Sequence, residues 1–545
     1  MSATRIDGGA RATRSAGAVL LTAGAVALTL TTARAQAIDV SLSPPGGLSP
    51  ADTPQMVLVT FDDSVSSGIE TLVQAMTAGR TNPGGGGLQF TFFVSTEWTD
   101  YTILNRLYSA GHEIAVHTMT HTTGTATDEA TWRAEIVGTR AALCRLADIP
   151  SRHITGFRAP YLQYNNATFR ILSEQGFLYD SSITEAPGEG SLSLDAGHVI
   201  WPYTLHDGVK QDTWTGIRPT DTFPDLFEIP IWSQLNASGQ SVATMDPGGS
   251  DAEVLNMLQY NFTARYSGNR APMGLFLHGG SWTSRSAVLG QFIDWALAYP
   301  GTWFVSMRAA ADYALNPCGH AGAAAFAPFL TRTCPPRPEA DYIATSFSKG
   351  TVRACGVRPP FYPDPANVFL CYEPLAGGHA SLDITGLWTT GFNAELHVTN
   401  DTAEAAADWQ VELELNGGEV TWVSGAAWSR SGTTLILRPS QAAGIGSGGT
   451  LSISLGGTRS AELDATTHTT LHGVRTLRPT IYSALATVAG LEMEWTESAY
   501  GYVVEQADSL RGPWTPAAEV RGRPAWSAAI EPNPTFRVYR IRGTD

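Results

Sequence analysis

Asp62-Asp63, His117-x-x-x-His121, Arg158-Ala159-Pro160-Tyr161, Asp180-Ser181-Ser182 and His278-Gly279-Gly280 are the residues of this chain whose types and spacing suit chemistry. Two histidines four apart share one face of a helical turn and point two imidazoles at one ion, and a carboxylate from a neighbouring strand completes a three-ligand set. Such a set leaves positions open for water and substrate. Two adjacent carboxylates need not share a role: one binds the ion while its neighbour takes a proton from the attacking water. Each motif alone has a commoner explanation, since Asp-Asp after a strand is usually a turn or a helix cap and a lone His-x-x-x-His is usually surface chance.

Something must bring these clusters together. Strand-like apolar runs recur at 56–61, 90–94, 113–116, 154–157, 177–179, 226–231, 274–277 and 303–306, several of them continuous, as in strands buried on both faces. Between them, stretches at 101–110, 128–146 and 167–175 repeat apolar residues three and four apart and are predicted as helices. Strand and helix alternating about eight times within ~260 residues predicts an α/β fold, a distorted parallel (β/α) barrel, closed or nearly so. An open doubly wound sheet is the alternative, but no glycine-rich phosphate loop follows the first strand. In a parallel barrel, function collects on the loops after the C-terminal strand ends. There the first strand is followed by Asp62-Asp63, the third by His117 and His121, the fourth by Arg158, the fifth by Asp180 and the seventh by His278. Polar clusters at so many strand ends of one barrel are not explained as a set of caps.

In this order, Thr60-Phe61-Asp62-Asp63, His117-x-x-x-His121, Arg158-Ala159-Pro160-Tyr161 and the His278 strand end resemble the motifs of the polysaccharide deacetylase (NodB homology) domain, carbohydrate esterase family 4. The chitin deacetylase-like branch is similar in residues 111–117 and 157–162 and in Tyr179-Asp180-Ser181-Ser182, and the resemblance spans 50–335. It implies a metal-dependent hydrolase in which Asp63, His117 and His121 hold Zn²⁺, or another divalent ion such as Co²⁺ or Mn²⁺, with Asp62 as general base. It further implies that Arg158 holds Asp62 as a carboxylate and that the Tyr161 backbone N–H joins the metal in stabilising the oxyanion. His278 would protonate the leaving group, with Asp180 as the carboxylate that orients it. Two places depart from the family: Ser181-Ser182 stands where a Trp often lies near the Asp, and Gly279-Gly280 where an acidic residue often follows the His. Trp98, Trp201, Tyr203, Trp232 and Trp282, near strand ends, are candidate sugar platforms.

After the barrel the pattern changes to a Cys/Pro-rich linker, 336–378, and then to short alternating strands at 394–398, 410–415, 435–437 and 451–455. Gly-rich turns between them predict a β-sandwich over 379–460. Trp388-Thr389-Thr390-Gly391-Phe392, Val398-Thr399-Asn400 and Asp408-Trp409 resemble a family-two carbohydrate-binding module. That resemblance implies exposed sugar-stacking tryptophans, for which Trp388 with Trp422 or Trp428 are the candidates, although Pro439-Ser440-Gln441 stands where a further Trp is usual. A last all-β segment, 476–545, resembles a fibronectin type III-like or other small β module only in length and strand pattern.

The 545 residues carry a net charge of -16 with no run of like charge, which argues against a nucleic-acid partner. With 43% hydrophobic and 15% charged residues the chain has material for several cores and is neither disordered nor a coiled coil. Arg5, Arg11 and Arg14 before the apolar run 16–30, with Ala33-Arg34-Ala35 after it, predict an export signal over 1–35. No later run approaches the ~18 apolar residues of a membrane span. Export permits disulfides, so two bridges are expected among Cys318, Cys334, Cys355 and Cys371, with Cys144 a buried thiol. The combined expectation is a secreted monomer that removes N-acetyl groups from a chitin-like polymer. Its appended module would hold it on chitin, xylan or a cellulose surface. The alternatives are the same machinery acting on O-acetyl groups of xylan, and a non-catalytic polysaccharide-binding protein.

Overall fold

Met56 and Leu58 pack into an inner core while Val57, Val59 and Phe61 pack into an outer one, beneath the helices, so the first strand is buried on both faces with the period of two that a strand imposes. Strand and helix then alternate as β1 (Gln55–Asp63), α1 (Ser67–Thr77), β2 (Thr91–Val94), α2 (Tyr101–Ser109), β3 (Glu113–Val116), α3 (Glu129–Ala147), β4 (Gly156–Phe157), α4 (Asn166–Glu174) and β5 (Tyr179–Asp180). The N-terminal body is completed by β6 (Tyr203–Leu205), β7 (Phe223–Glu228), α5 (Asp251–Ser267), β8 (Met273–His278), α6 (Ser286–Leu297), β9 (Thr302–Phe304) and α7 (Met307–Leu315). This computed structural model describes residues 19–20, 37–187, 191–211, 220–347, 350–355, 363, 365, 367–440, 444–476, 481–487, 490–495, 501–507, 514–520, 525–528 and 538–544. Apart from Val19–Leu20, the expected export segment 1–35 lies outside them. Among the described residues no helix is long and apolar enough to cross a membrane.

The sheet runs β8-β1-β2-β3-β4-β5-β7-β6, with β9 pairing the start of β1. Every pair is parallel except β6 against β7. The expected strands are present, but the barrel is not closed: β7 gives its free edge to the antiparallel β6 and does not pair with β8. β4 and β5 are two residues each, and the Tyr179 ring crosses the bare backbone of Gly156, where a Cβ would lie 2.2 Å from the ring. Register aligns the C-terminal strand ends on one rim: His278 lies opposite Asp62, Asp62 opposite Phe93, Phe157 opposite Asp180, and Asp180 opposite Glu228.

The helices cover the sheet because their ends are capped and their apolar stripes face it. Asp100 accepts from the Thr102 and Ile103 N–H groups at the start of α2, and Asp128 accepts from Thr131 at the start of α3. Asn165 and Thr168 form a reciprocal capping box on α4. Each such cap is worth ~1 kcal/mol.

The stretch after α7 packs on the barrel. Tyr313, Phe326 and Phe329 form an aromatic cluster continuous with the inner core. A hairpin of β10 (Tyr342–Phe347) and β11 (Gly350–Cys355) follows, and Val352 and Val368 join the outer core. Apolar packing thus does what crosslinks were expected to do: Cys318 and Cys334 are free thiols, so the two bridges expected among Cys318, Cys334, Cys355 and Cys371 are not formed. Cys144 is half-buried against the outer core.

A second body is an antiparallel β module of β12 (Leu370–Leu375), β13 (His379–Trp388), β14 (Gly391–Thr399), β15 (Asp408–Ser424), β16 (Ala427–Ser431), β17 (Thr434–Arg438) and β18 (Thr450–Thr476). It closes around Leu396, Val398, Trp409, Val411, Leu413 and Ile453. Its last strand runs to Thr476, further than the 460 expected, because residues 465–472 pair with β15 across the Asn416/Gly418 irregularity. Further antiparallel strands between Ile481 and Thr544 bury Met493, Trp495, Tyr502 and Val504 in a small all-β module, which meets the barrel through an Arg152–Glu494 ion pair at 3.0 Å.

Candidate active site

Asp63 ends β1, and His117 and His121 lie on the loop after β3. One ligand atom from each lies within 4.8 Å of the others. Asp63 Oδ1 stands 3.6 Å from His117 Nε2 and 3.2 Å from His121 Nε2, yet it is shut off from water without a hydrogen bond of good alignment. His117 Nδ1 is held by the Arg158 carbonyl at 2.8 Å, which leaves Nε2 for the site. A carboxylate oxygen and two imidazole nitrogens converging on one point fit Zn²⁺ or a similar borderline ion. Burial alone would push the Asp63 carboxyl up, but the two imidazoles beside it outweigh burial and hold it far below the usual carboxylate range.

The histidines do not share a helical turn, as their spacing suggested. Thr118 and His121 have left-handed backbones, with φ of 61° and 52°. The loop between them is pinned by Glu135 of α3: Oε2 accepts the Met119 and Thr120 N–H groups at 2.7 and 2.9 Å, and Oε1 accepts the Thr120 hydroxyl. Ser95 and Thr96, from the loop after β2, bond the His117 and Met119 carbonyls. Among the described residues, six of the nine non-glycine positions with positive φ are Asp63, Thr118, His121, Tyr161, Leu162 and Asp246, all on this rim. Backbone strain of that kind persists only where surrounding contacts over-determine it.

Asp62 is buried beside the ligand set, with Oδ2 4.0 Å from His117 Nε2. Its Oδ1 accepts from Arg158 Nη1 at 2.6 Å. Arg158 is fully buried between the Phe93 and Phe276 rings and also donates to Thr60 Oγ1, Ser181 O and Ser181 Oγ. Tyr161 follows in a left-handed turn whose backbone bonds use the Leu162 and Gln163 N–H groups, and its exposed ring meets His121 edge-on at 4.8 Å.

His278 is placed as expected, but its partner is not Asp180. Asp246, on the loop before α5, bonds His278 Nδ1 through Oδ2, while its Oδ1 accepts the His278 N–H at 2.8 Å and Trp282 Nε1 at 2.9 Å. The Asp246 bond, against the opposing effect of burial and with help from the Asp62 and Asp63 charges, raises His278 to about 9. Asp180 is fully buried, and its oxygens accept the Ser182 N–H and hydroxyl. Of the expected sugar platforms, only Trp98 is exposed; Trp201, Tyr203, Trp232 and Trp282 are core, with the Trp232 and Trp282 indole N–H groups spent on Ile200 O and Asp246.

An open parallel barrel with an Asp-His-His cluster, a buried Asp–Arg pair and an Asp-held histidine on one rim defines a site of the kind that supports metal-assisted hydrolysis. The polysaccharide deacetylase family model matches residues 49–179, and the cellulose binding domain model matches residues 378–476. Chitin deacetylase 8 of Bombyx mori is 35% identical over 263 residues, 46% of this chain and 66% of its own length. Chitin deacetylase 1 of Bombyx mori is 29% identical over 296 residues, 50% of this chain and 53% of its own. A cellulose/chitin binding protein of Mycobacterium bovis is 38% identical over 76 residues, 13% of this chain and 52% of its own. The chain thus spans 53 to 66% of the length of the two deacetylases it matches. It carries a polysaccharide deacetylase domain of the NodB, carbohydrate esterase family 4 type, joined to a family-two cellulose-binding module.

Proposed function

We propose that this chain is an exported, metal-dependent polysaccharide deacetylase that hydrolyses N-acetyl groups of N-acetylglucosamine polymers of the chitin kind. The observation that carries this reading is the convergence of the Asp63-His117-His121 cluster with Asp62 and His278 on one rim. Zn²⁺ or a similar ion held by those three residues would supply Lewis-acid polarisation of the acetyl carbonyl and a more acidic water. Asp62 takes the proton of the attacking water through Oδ2, its Oδ1 being fixed by Arg158. The Tyr161 N–H donates to the developing oxyanion. His278, kept protonated by Asp246, gives the Nε2 proton to the departing nitrogen. An amine leaves only with a proton, so a histidine raised to about 9 suits an amide better than an ester.

The β module supports attachment to insoluble polymer. Trp388, Trp422 and Trp428 are all exposed, and two of the rings lie over glycines. A Cβ at Gly391 would meet Trp388 at 2.5 Å, and one at Gly456 would meet Trp422 at 2.8 Å. Flat aromatic surface of this kind stacks on sugar rings. The Arg-flanked apolar run in 1–35 and the cellulose-binding module support secretion. The test is acetate release from chitin oligomers, peptidoglycan and acetylxylan in parallel. Fastest release from the chitin oligomers is expected; release from acetylxylan alone would replace the amide reading by an ester one, and binding without release from any would leave a carbohydrate-binding scaffold.

A further inference from the structure

Glu228 stands beside Asp180 on the rim, opposite it in register, and both carboxyl groups are fully buried. Two adjacent anions at such depth need charge compensation. Arg158 is the nearby cation, and its guanidinium donors go to Asp62, Thr60 and Ser181. Glu228 Oε1 accepts the Ile183 N–H at 3.2 Å, whereas Oε2 is cut off from water with no donor to accept from. An Oε2 that carries a proton and donates it to Asp180 satisfies that atom and removes one of the two charges. The electrostatics agree: burial, then Asp180, push Glu228 well above the usual carboxyl range, and burial lifts Asp180 to about 6. The other groups facing the pair are Arg158, which favours the charged form of both acids, and the phenol of Tyr203 on β6, which is itself raised by burial and by Glu228.

We propose that Asp180 and Glu228 share one proton, and that the resulting hydrogen-bonded pair is the positioning support of the Arg158-Ala159-Pro160-Tyr161 turn. The catalytic consequence rests on the deacetylase reading; the shared proton does not. Asp180 accepts the Ser182 N–H at 2.9 Å and its hydroxyl at 2.8 Å, and the same Ser182 oxygen accepts the Ala159 N–H at 2.8 Å. Neighbouring Ser181 holds the Arg158 guanidinium through its carbonyl and hydroxyl at 2.9 and 3.1 Å. The chain of bonds from Glu228 therefore ends between the residue that holds Asp62 and the residue whose N–H faces the substrate. It also reaches the ligand cluster, because the Arg158 carbonyl fixes His117. Asp180 and Glu228 touch no reacting atom in this arrangement; they set the place of groups that do.

Two variants separate the pair from mere packing. Glu228→Gln keeps a donor for Asp180 and an acceptor for Ile183 without a titrating proton, whereas Glu228→Ala removes both. Infrared spectra of the wild type at neutral pH are expected to contain the carbonyl band of a protonated carboxylic acid that E228Q lacks. On chitin oligomers E228Q is expected to keep kcat within about 3-fold of wild type, while E228A loses about 100-fold in kcat with little change in KM, as for a small misplacement of reacting groups. Zinc affinity, read by chelator competition, should fall roughly 10-fold or more in E228A and stay level in E228Q, as for loss of an outer support of a ligand. A wild type without a protonated-acid band that E228Q removes would overturn the shared proton. An E228Q as impaired as E228A in kcat and zinc affinity would overturn the positioning role. If E228A does not fold, Ser182→Ala, which removes the bonds to Asp180 and to the Ala159 N–H, takes its place in the comparison of kcat and zinc affinity, and the infrared band is judged on the wild type and E228Q alone. A wild type that releases no acetate would instead sink the deacetylase reading, leaving the infrared and zinc results to judge the pair.

Discussion

Replacing Asp246 by Asn removes the charge that raises His278 while keeping an oxygen able to accept the His278 N–H and the Trp282 indole. His278 stands at about 9 against the ordinary 6.5, and the Asp246 bond is the largest cause. A raised histidine keeps its acid form to higher pH, so activity that needs this proton is present at neutral pH and lost as pH rises through about 9. The same pairing stabilises the fold fully below 6.5 and stops doing so as pH rises through about 9. In Asp246→Asn the alkaline limb should move down toward 6.5. At pH 8 the protonated fraction would fall from about nine-tenths to about one-thirtieth, a loss of roughly 30-fold in kcat, whereas at pH 6 the loss should stay under about 2-fold. The assay is the pH profile of kcat for acetate release from a soluble chitin oligomer, wild type against variant, at fixed zinc. An alkaline limb that does not move, or a loss equal at pH 6 and pH 8, would refute the assignment of His278 as the acid tuned by Asp246.

Glu135→Ala leaves the Met119 and Thr120 N–H groups and the Thr120 hydroxyl without their acceptor, so zinc affinity measured by chelator competition should fall roughly 10-fold to 100-fold while the unfolding transition stays cooperative. Trp388→Ala and Trp422→Ala should each weaken binding to insoluble chitin or cellulose by about 10-fold in a depletion assay, leaving kcat/KM on soluble oligomers unchanged. Cys334 is exposed and unbridged, so a thiol reagent should label it in the folded, unreduced protein. Protection of Cys334 until reductant is added would contradict the free thiol.

What the sequence made legible was local. Apolar runs located the strands, and because a parallel strand ends where its loop begins, Asp62, Asp63, His117, Arg158 and His278 fell on one rim without any knowledge of closure. What it hid was non-local. The openness of the barrel depends on β6 capping β7, a pairing of short strands with no periodic signal. Asp246 sits in Asp246-Pro247-Gly248-Gly249, which reads as an ordinary turn, and its partner His278 lies 32 positions away. Asp180 was placed on the right rim but given the wrong neighbour, since proximity along a rim does not say which carboxyl meets which ring. Glu135 lies among other charged and polar residues of its helix, so nothing in its spacing marked it as the acid that holds the loop between His117 and His121. Residue type alone misjudged the barrel tryptophans, because Trp201, Trp232 and Trp282 serve the core with the same ring that stacks on sugar at the surface.

The most direct measurement is acetate release from an N-acetylglucosamine oligomer by the wild type and by Asp62→Asn, each assayed as purified, after chelation and after added Zn²⁺, with bound metal determined in the same samples. The expected result is release by the wild type that chelation abolishes and Zn²⁺ restores, and no release by Asp62→Asn although it binds the metal as the wild type does. Release that survives chelation, or an Asp62→Asn variant as active as the wild type, would contradict metal-assisted deacetylation with Asp62 as its base.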